Sequence, residues 1–244
     1  MLAELRAALA PDGLNLVGAA AVAEYDSLLA SEHALARRFP EAVTAIVVGN
    51  GGGAFWRAFR AACAGSPALA ADPDPLDRFT EACVDQAVRR VAGGVPCRVL
   101  YPFRFASEPV SFLRLAAVAG LGTPGRVGVL LHPEYGPWIA FRAAVLVPFA
   151  VDAPRPAAGF DPCPGCVERA CMPACPAGAV SDDGWDIPRC AAYRVREADG
   201  CAAGCHARIA CVIGRAHRYP ADALAHHQRR AKPALAAWAA PGRR

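Results

Sequence analysis

Cys163-Pro-Gly-Cys166-Val-Glu-Arg-Ala-Cys171-Met-Pro-Ala-Cys175-Pro176 is the stretch on which the reading of this chain turns. Four more thiols follow at Cys190, Cys201, Cys205 and Cys211, so eight of the eleven cysteines fall in one short span. Cys63, Cys83 and Cys97 stand apart and read as small core hydrophobes. The opening Met1-Leu-Ala-Glu-Leu-Arg6 lacks the basic and apolar regions of a signal peptide, which points to a reducing cytoplasm. In that compartment dense cysteines argue for metal ligation over disulfides.

The spacing Cys163-x2-Cys166-x4-Cys171-x3-Cys175-Pro176 comes close to the bacterial ferredoxin run. In that run three thiolates grip one iron–sulfur cluster, and the fourth, followed by Pro, turns away to another. Eight thiols then match two [4Fe–4S] clusters without remainder. Ferredoxin logic assigns Cys163, Cys166, Cys171 and Cys211 to one cluster, and Cys175, Cys190, Cys201 and Cys205 to the second. Two departures leave a single cluster as an alternative. The x4 and x5 gaps are wide, and Val212 stands where a second Cys-Pro is expected. Zinc is the other alternative, since Cys-x2-Cys with Cys-x3-Cys also makes a four-thiolate knuckle. His206 beside Cys205 reads as a bystander.

Moving outward, Pro148–Gly159 is rich in Pro and reads as a linker, with the boundary near Ala157. Three segments follow from this: an α/β domain over 1–157, a cysteine module over 158–220 that needs metal to hold it together, and a basic tail over 221–244. In the first segment helices are expected at Leu2–Ala10, from Phe55, at Asp77–Ala92 and at Pro109–Ala119. Strands are expected at Asn15–Ala20, Ala42–Val48, Val95–Leu100, Val127–Leu131 and Ile139–Val147, giving a layered α/β or α+β sheet. Gly49-Asn-Gly51-Gly-Gly-Ala54 satisfies a dinucleotide-binding fingerprint, yet no strand ending in an acid follows. A plain strand-to-helix turn is the simpler reading.

Charge and hydropathy narrow the functional classes. Every apolar run is cut by Arg, Pro or an acid, so a membrane span is not expected. The formal net charge is +4, and from His206 onward eight basic residues face a single acid, Asp222. Such a tail either contacts nucleic acid or an acidic partner, or is a solvated helix.

Two further segments carry a family resemblance. Ala119-Gly-Leu-Gly122-Thr-Pro-Gly125-Arg126, followed by Leu131-His-Pro-Glu-Tyr-Gly-Pro-Trp138, resembles the cobalamin-domain segment of epoxyqueuosine reductases, which precedes a two-cluster ferredoxin module. Gly128 with His132–Pro148 is similar to the matching stretch of CblC-type cobalamin-processing proteins, through Trp138, Arg142 and the last strand. Reductive dehalogenases share this layout. The resemblance covers most of the chain. It implies a nitroreductase-like α/β (α+β) sheet domain that holds cobalamin, followed by a small ferredoxin-like iron–sulfur module. Gly122, Gly125, Gly128, Tyr135, Gly136, Trp138 and Arg142 are then the expected cofactor contacts. Glycines let backbone approach a macrocycle, Tyr135 and Trp138 can cover its apolar surface, and Arg142 can reach an amide or phosphate.

One departure bears on the reaction. Where epoxyqueuosine reductases carry a proton-donating Asp three residues before the helix-opening Pro, here Pro109, this chain has Ala106, with Ser107 and Glu108 beside it. CblC-type proteins, for their part, lack the iron–sulfur module. The expected function is therefore an iron–sulfur oxidoreductase that takes electrons from a donor protein or reductant. It passes them to a corrinoid, by cobalamin reduction or upper-ligand removal, or to a small-molecule substrate. The alternatives are a non-catalytic electron carrier and a zinc-stabilised binding module.

Overall fold

The computed structural model describes residues 1–153, 159–197 and 200–239. The boundary expected at Ala157 lies outside the described residues. In chain order the helices and strands are α1 (Leu2–Leu9), β1 (Leu16–Ala21), α2 (Val22–Asp26), α3 (Leu35–Arg38), β2 (Thr44–Gly51), α4 (Ala54–Gly65), α5 (Pro67–Ala70), α6 (Pro75–Ala92), β3 (Arg98–Leu100) and α7 (Phe112–Val118). They continue with β4 (Thr123–Pro124), β5 (Leu130–Leu131), β6 (Ile139–Val147), β7 (Val180–Ser181), β8 (Gly184–Trp185), α8 (Ile187–Arg196), α9 (His206–Ala210) and α10 (Ala221–Ala239). The chain divides into two compact units, one built from Met1–Gly122 with Ile139–Gly159, the other from Thr123–Trp138 with Phe160–Arg244. No helix among the described residues is long and apolar enough to cross a membrane.

The first unit is a mixed α/β arrangement around a four-stranded sheet of order β1-β2-β6-β3. Every neighbouring pair is antiparallel. Strand–helix alternation in sequence thus gives an antiparallel sheet, because β2 and β3, which run in the same direction and are joined by a crossover through α4, α5 and α6, are separated by the later strand β6. All eight residues of β2 are buried. The run Ala45-Ile-Val-Val48 is apolar on both faces, and α4 and α7 pack against this strand. Leu5, Leu9, Leu14, Ile46, Phe55, Leu100 and Leu115 form much of the core.

The glycine-rich stretch departs from the expectation of a loop after Val48. Strand β2 runs on to Gly51, pairing Gly49 with Phe141 and Gly51 with Ile139 after a register shift between Val48 and Gly49. A bulge with close backbone approach explains the glycine, since a Cβ at Gly49 would lie 2.7 Å from the Ala140 carbonyl oxygen. Asn15 pins the strand end: its Nδ2 donates to the Gly51 carbonyl (3.1 Å) and its Oδ1 accepts from the Gly51 N–H (2.7 Å). The last expected short strand also shrinks. Only Leu130–Leu131 of Val127–Leu131 is extended in a ladder, because Gly128 takes φ +75°.

Gly49→Ala should cost about 1–3 kcal/mol, the usual range for overpacking a well-filled site. Gly65→Ala, where a Cβ meets nothing within 4 Å, should be neutral or stabilising by up to about 1 kcal/mol. Urea unfolding of the two variants checks this contrast.

Candidate metal centre

The second unit has a small apolar interior. Leu130, Leu131, Trp138, Val180 and Tyr219 are its large buried side chains, and the remainder are alanines such as Ala179, Ala191, Ala207 and Ala223. Local turns fold the cysteine segment tightly. The Cys166 N–H donates to the Cys163 carbonyl (3.3 Å), the Cys175 N–H to Met172 (3.2 Å) and the Gly178 N–H to Cys175 (2.9 Å). Pro176 keeps Cys175 out of the helical region, so the chain turns away after the fourth thiol. The β7–β8 hairpin follows, and α8 opens with Asp186 accepting from the Arg189 N–H (2.9 Å), which directs Cys190 into the unit's interior side.

All eleven cysteines are free thiols. The structure brings Cys163, Cys166, Cys171 and Cys211 to the lining of one cavity, with Arg126, Leu131 and Ile213 beside them. A second cavity is lined by Cys175, Cys190, Cys201 and Cys205, with Trp185, Tyr193 and Arg194 among its neighbours. Among the described residues no three His, Cys, Asp or Glu side chains converge closely enough to hold a single metal ion. Each foursome lines its own cavity.

The electrostatics follow the same grouping. Burial pushes the Cys171 thiol up, and the charges of Cys211, Cys163 and Cys166 push it further. Cys201 is raised by burial and by Cys205, with Arg194 opposing, and then by Cys190 and Cys175. Cys190 and Cys211 are raised by burial as well, each partly relieved by a hydrogen bond, from Trp185 and from the Ile213 backbone respectively. Thiolates gathered this way repel one another, and only positive charge in their midst lets all of them ionise together. Cys175 also accepts a hydrogen bond at Sγ from the Ala179 N–H (3.4 Å).

Arginines unmarked by any sequence pattern, Arg126 and Arg194 among them, sit at these cavities. Arg126 is largely buried; it donates to the Cys163 carbonyl and pairs with Asp182 at 2.8 Å. Arg194 lines the second cavity and donates to the Gln228 carbonyl on α10 (2.7 Å). A chain with one lysine and many arginines offers no spacing signal that marks these two. His206 lies at the rim of the second cavity, with Nε2 at 3.0 Å from the Gly200 carbonyl oxygen.

The residues expected to contact a corrinoid fall in both units. Gly122 and Arg142 belong to the first. There Arg142 donates from Nε to Asn50 Oδ1 (2.8 Å) and lies over the Phe55 ring at 4.8 Å. Gly125, Gly128, Tyr135, Gly136 and Trp138 belong to the second, where packing uses them. A Cβ on Gly125 would meet Leu131 at 2.8 Å, one on Gly128 the Trp185 ring at 2.2 Å, and one on Gly136 the Ile213 carbonyl at 2.3 Å. Tyr135 packs against His132 and His217. Trp138 is fully buried, covered by Arg208 at 5.0 Å and Tyr219 at 5.7 Å; its Nε1 has no acceptor among the described residues.

No family model matches the chain. Over 97 residues, 38% of the chain, it is 36% identical to the epoxyqueuosine reductase of Yersinia pestis, a stretch that makes up 22% of that protein. The match thus spans about a fifth of the relative's length. In fold the chain is similar to the epoxyqueuosine reductase from Streptococcus thermophilus, with TM-score 0.61 and 14% identity over 89% of this chain and 67% of that one. It is also similar to the B12-trafficking protein CblC of C. elegans, with TM-score 0.54 and 15% identity over 99% of each chain. The resemblance read from the two glycine-bearing segments is therefore shown: part of the sequence is shared with an epoxyqueuosine reductase, and the mixed α/β fold with epoxyqueuosine reductase and CblC.

The turn after β5 carries a pH dependence. His132 Nδ1 accepts from the Glu134 N–H (3.1 Å) and the Tyr135 N–H (3.3 Å). Burial pulls its pKa below the ordinary 6.5, against the opposing charge of Glu134, with His217 lowering it further. The unfolded chain therefore takes up this proton first as pH falls, so the stability present above 6.5 is lost on the way down through that value. Chemical unfolding between about pH 7.5 and about pH 5 should show the loss, and His132→Asn, which keeps an acceptor, should show less of it. Identical pH profiles would contradict this.

Proposed function

We propose that this chain is an iron–sulfur redox protein whose eight thiolates hold two [4Fe–4S] clusters in a ferredoxin-like module. It passes electrons to an acceptor bound by the chain, and the first unit is the nitroreductase-like sheet of such proteins. The observation that carries this reading is the sorting of the thiols into Cys163, Cys166, Cys171 and Cys211 round one cavity and Cys175, Cys190, Cys201 and Cys205 round another. Each cluster, when bound, supplies a one-electron store. The chain's own groups do the rest. The Ala179 N–H on Cys175 Sγ withdraws charge from the sulfur, and Arg126 ties the Cys163 backbone in place. Such hydrogen bonds and nearby cations favour the reduced state and set the potential.

Likeness to an epoxyqueuosine reductase and to a B12-trafficking protein supports a redox or corrinoid-linked role. A corrinoid or a small-molecule substrate is the acceptor class we propose. Of the residues expected at the macrocycle, Gly125, Gly128 and Gly136 make close approaches inside their own unit and Trp138 is enclosed, which leaves Gly122, Tyr135 and Arg142 for contact. The queuosine-forming reaction would lack its proton donor, since Ala106 stands at the expected position and the neighbouring Glu108 is held by Arg98.

Anaerobically isolated protein should contain about eight irons and about eight acid-labile sulfides per chain. Cys171→Ser and Cys201→Ser should each lower both contents to about half, whereas Cys83→Ser, in the sheet unit, should leave them unchanged. Zinc without sulfide would overturn the reading.

A further inference from the structure

One wall of the second cavity is shared with a smaller surface cavity. Cys201 lines both. On the outer side Arg194, Arg229 and Lys232 converge on it from α8 and α10, with Glu197 as the one carboxylate among the lining residues described. That carboxylate is already engaged by Arg196 at 3.2 Å, so the local field is positive. Arg229 is exposed, and Arg230 beside it is exposed as well. The Arg194 hydrogen bond to the Gln228 carbonyl ties α8 to α10 and fixes the cations as one face.

We propose that this face docks an acidic one-electron carrier protein, which delivers electrons to the cluster held by Cys175, Cys190, Cys201 and Cys205. The proposal rests on the iron–sulfur reading above. Two observations join here that neither alone would carry: converging cations, and a thiol of the second foursome, Cys201, in the wall beneath them. Electron transfer falls off steeply with distance, so a carrier must be seated close to a cluster ligand. An acidic surface on the carrier would be steered to this spot and oriented there by charge. In each event the reduced carrier gives up one electron and the cluster takes it up, passing from the 2+ to the 1+ state, with no bond made or broken. Nucleic acid would also be drawn by the cations, but it has no use for the thiol behind them.

The holoprotein, isolated anaerobically, is mixed in stopped flow with chemically reduced plant-type ferredoxin as the acidic probe, and bleaching of the visible absorbance is followed. Binding of oxidised ferredoxin to oxidised holoprotein is measured alongside. At low salt Arg229→Glu with Lys232→Glu should slow the second-order reduction by about tenfold or more and weaken binding to match. The difference should close as salt approaches about 0.5 M. Arg229→Gln, a milder change on an exposed side chain, should move both readouts in the same direction by less. Iron and sulfide content of each variant separates a docking defect from a lost cluster. Rates and affinities that ignore both substitutions and salt would overturn the proposal. So would variants that keep the ferredoxin rate but lose binding to an RNA stem loop, which would make this face a nucleic-acid interface. Wild-type protein without iron and sulfide would instead remove the reading beneath it.

Discussion

Four thiolates crowded round one space cannot all be charged at neutral pH unless positive charge sits among them. The second unit sets this condition twice. Its thiols raise one another's pKa, and among the described residues its buried apolar side chains are few. Burying so little apolar surface does not offset the entropy of ordering a loop-rich segment. On the proposed reading the metal–sulfide core supplies both the missing charge and the missing cohesion, so cluster loading and folding of this unit are one equilibrium.

The sheet unit meets the opposite situation. Strand β2 is buried along its whole length, flanked on both edges by antiparallel partners, and helices cover its faces. It needs no metal to persist. Its irregularities are local and have steric causes, such as the bulge at Gly49 and the Asn15 clamp on Gly51. The two units thus differ: one is held by apolar packing, and on the proposed reading the other is held by chemistry at sulfur.

How far the sequence could be read depended on how local each determinant is. Strand Ile139–Val147 was readable to its ends because a long, mostly apolar run bounded by Pro137 and Pro148 has few alternatives. Extension of β2 through Gly49–Gly51 was not, since glycine carries no strand signal and the bulge answers to the Ala140 carbonyl on a neighbouring strand. Short spacings among cysteines limit which sulfurs can meet, so the two sets of thiols that line the cavities were readable in one dimension. Gly128 and Gly136 resembled positions that clear room for a macrocycle. In the fold they clear room for Trp185 and for the Ile213–Gly214 backbone, contacts between segments far apart in the chain. Grouping of Thr123–Trp138 with the cysteine segment is tertiary for the same reason. Arg126 and Arg194 stayed hidden because nothing in their neighbourhood distinguishes them from the other arginines.

Anomalous diffraction at the iron edge, from crystals grown without oxygen, tests the central claim most directly. Two separate iron peaks should appear, one enclosed by Cys163, Cys166, Cys171 and Cys211 and the other by Cys175, Cys190, Cys201 and Cys205. A signal at the zinc edge in their place, or iron bound by sulfurs drawn from both sets, would contradict the account.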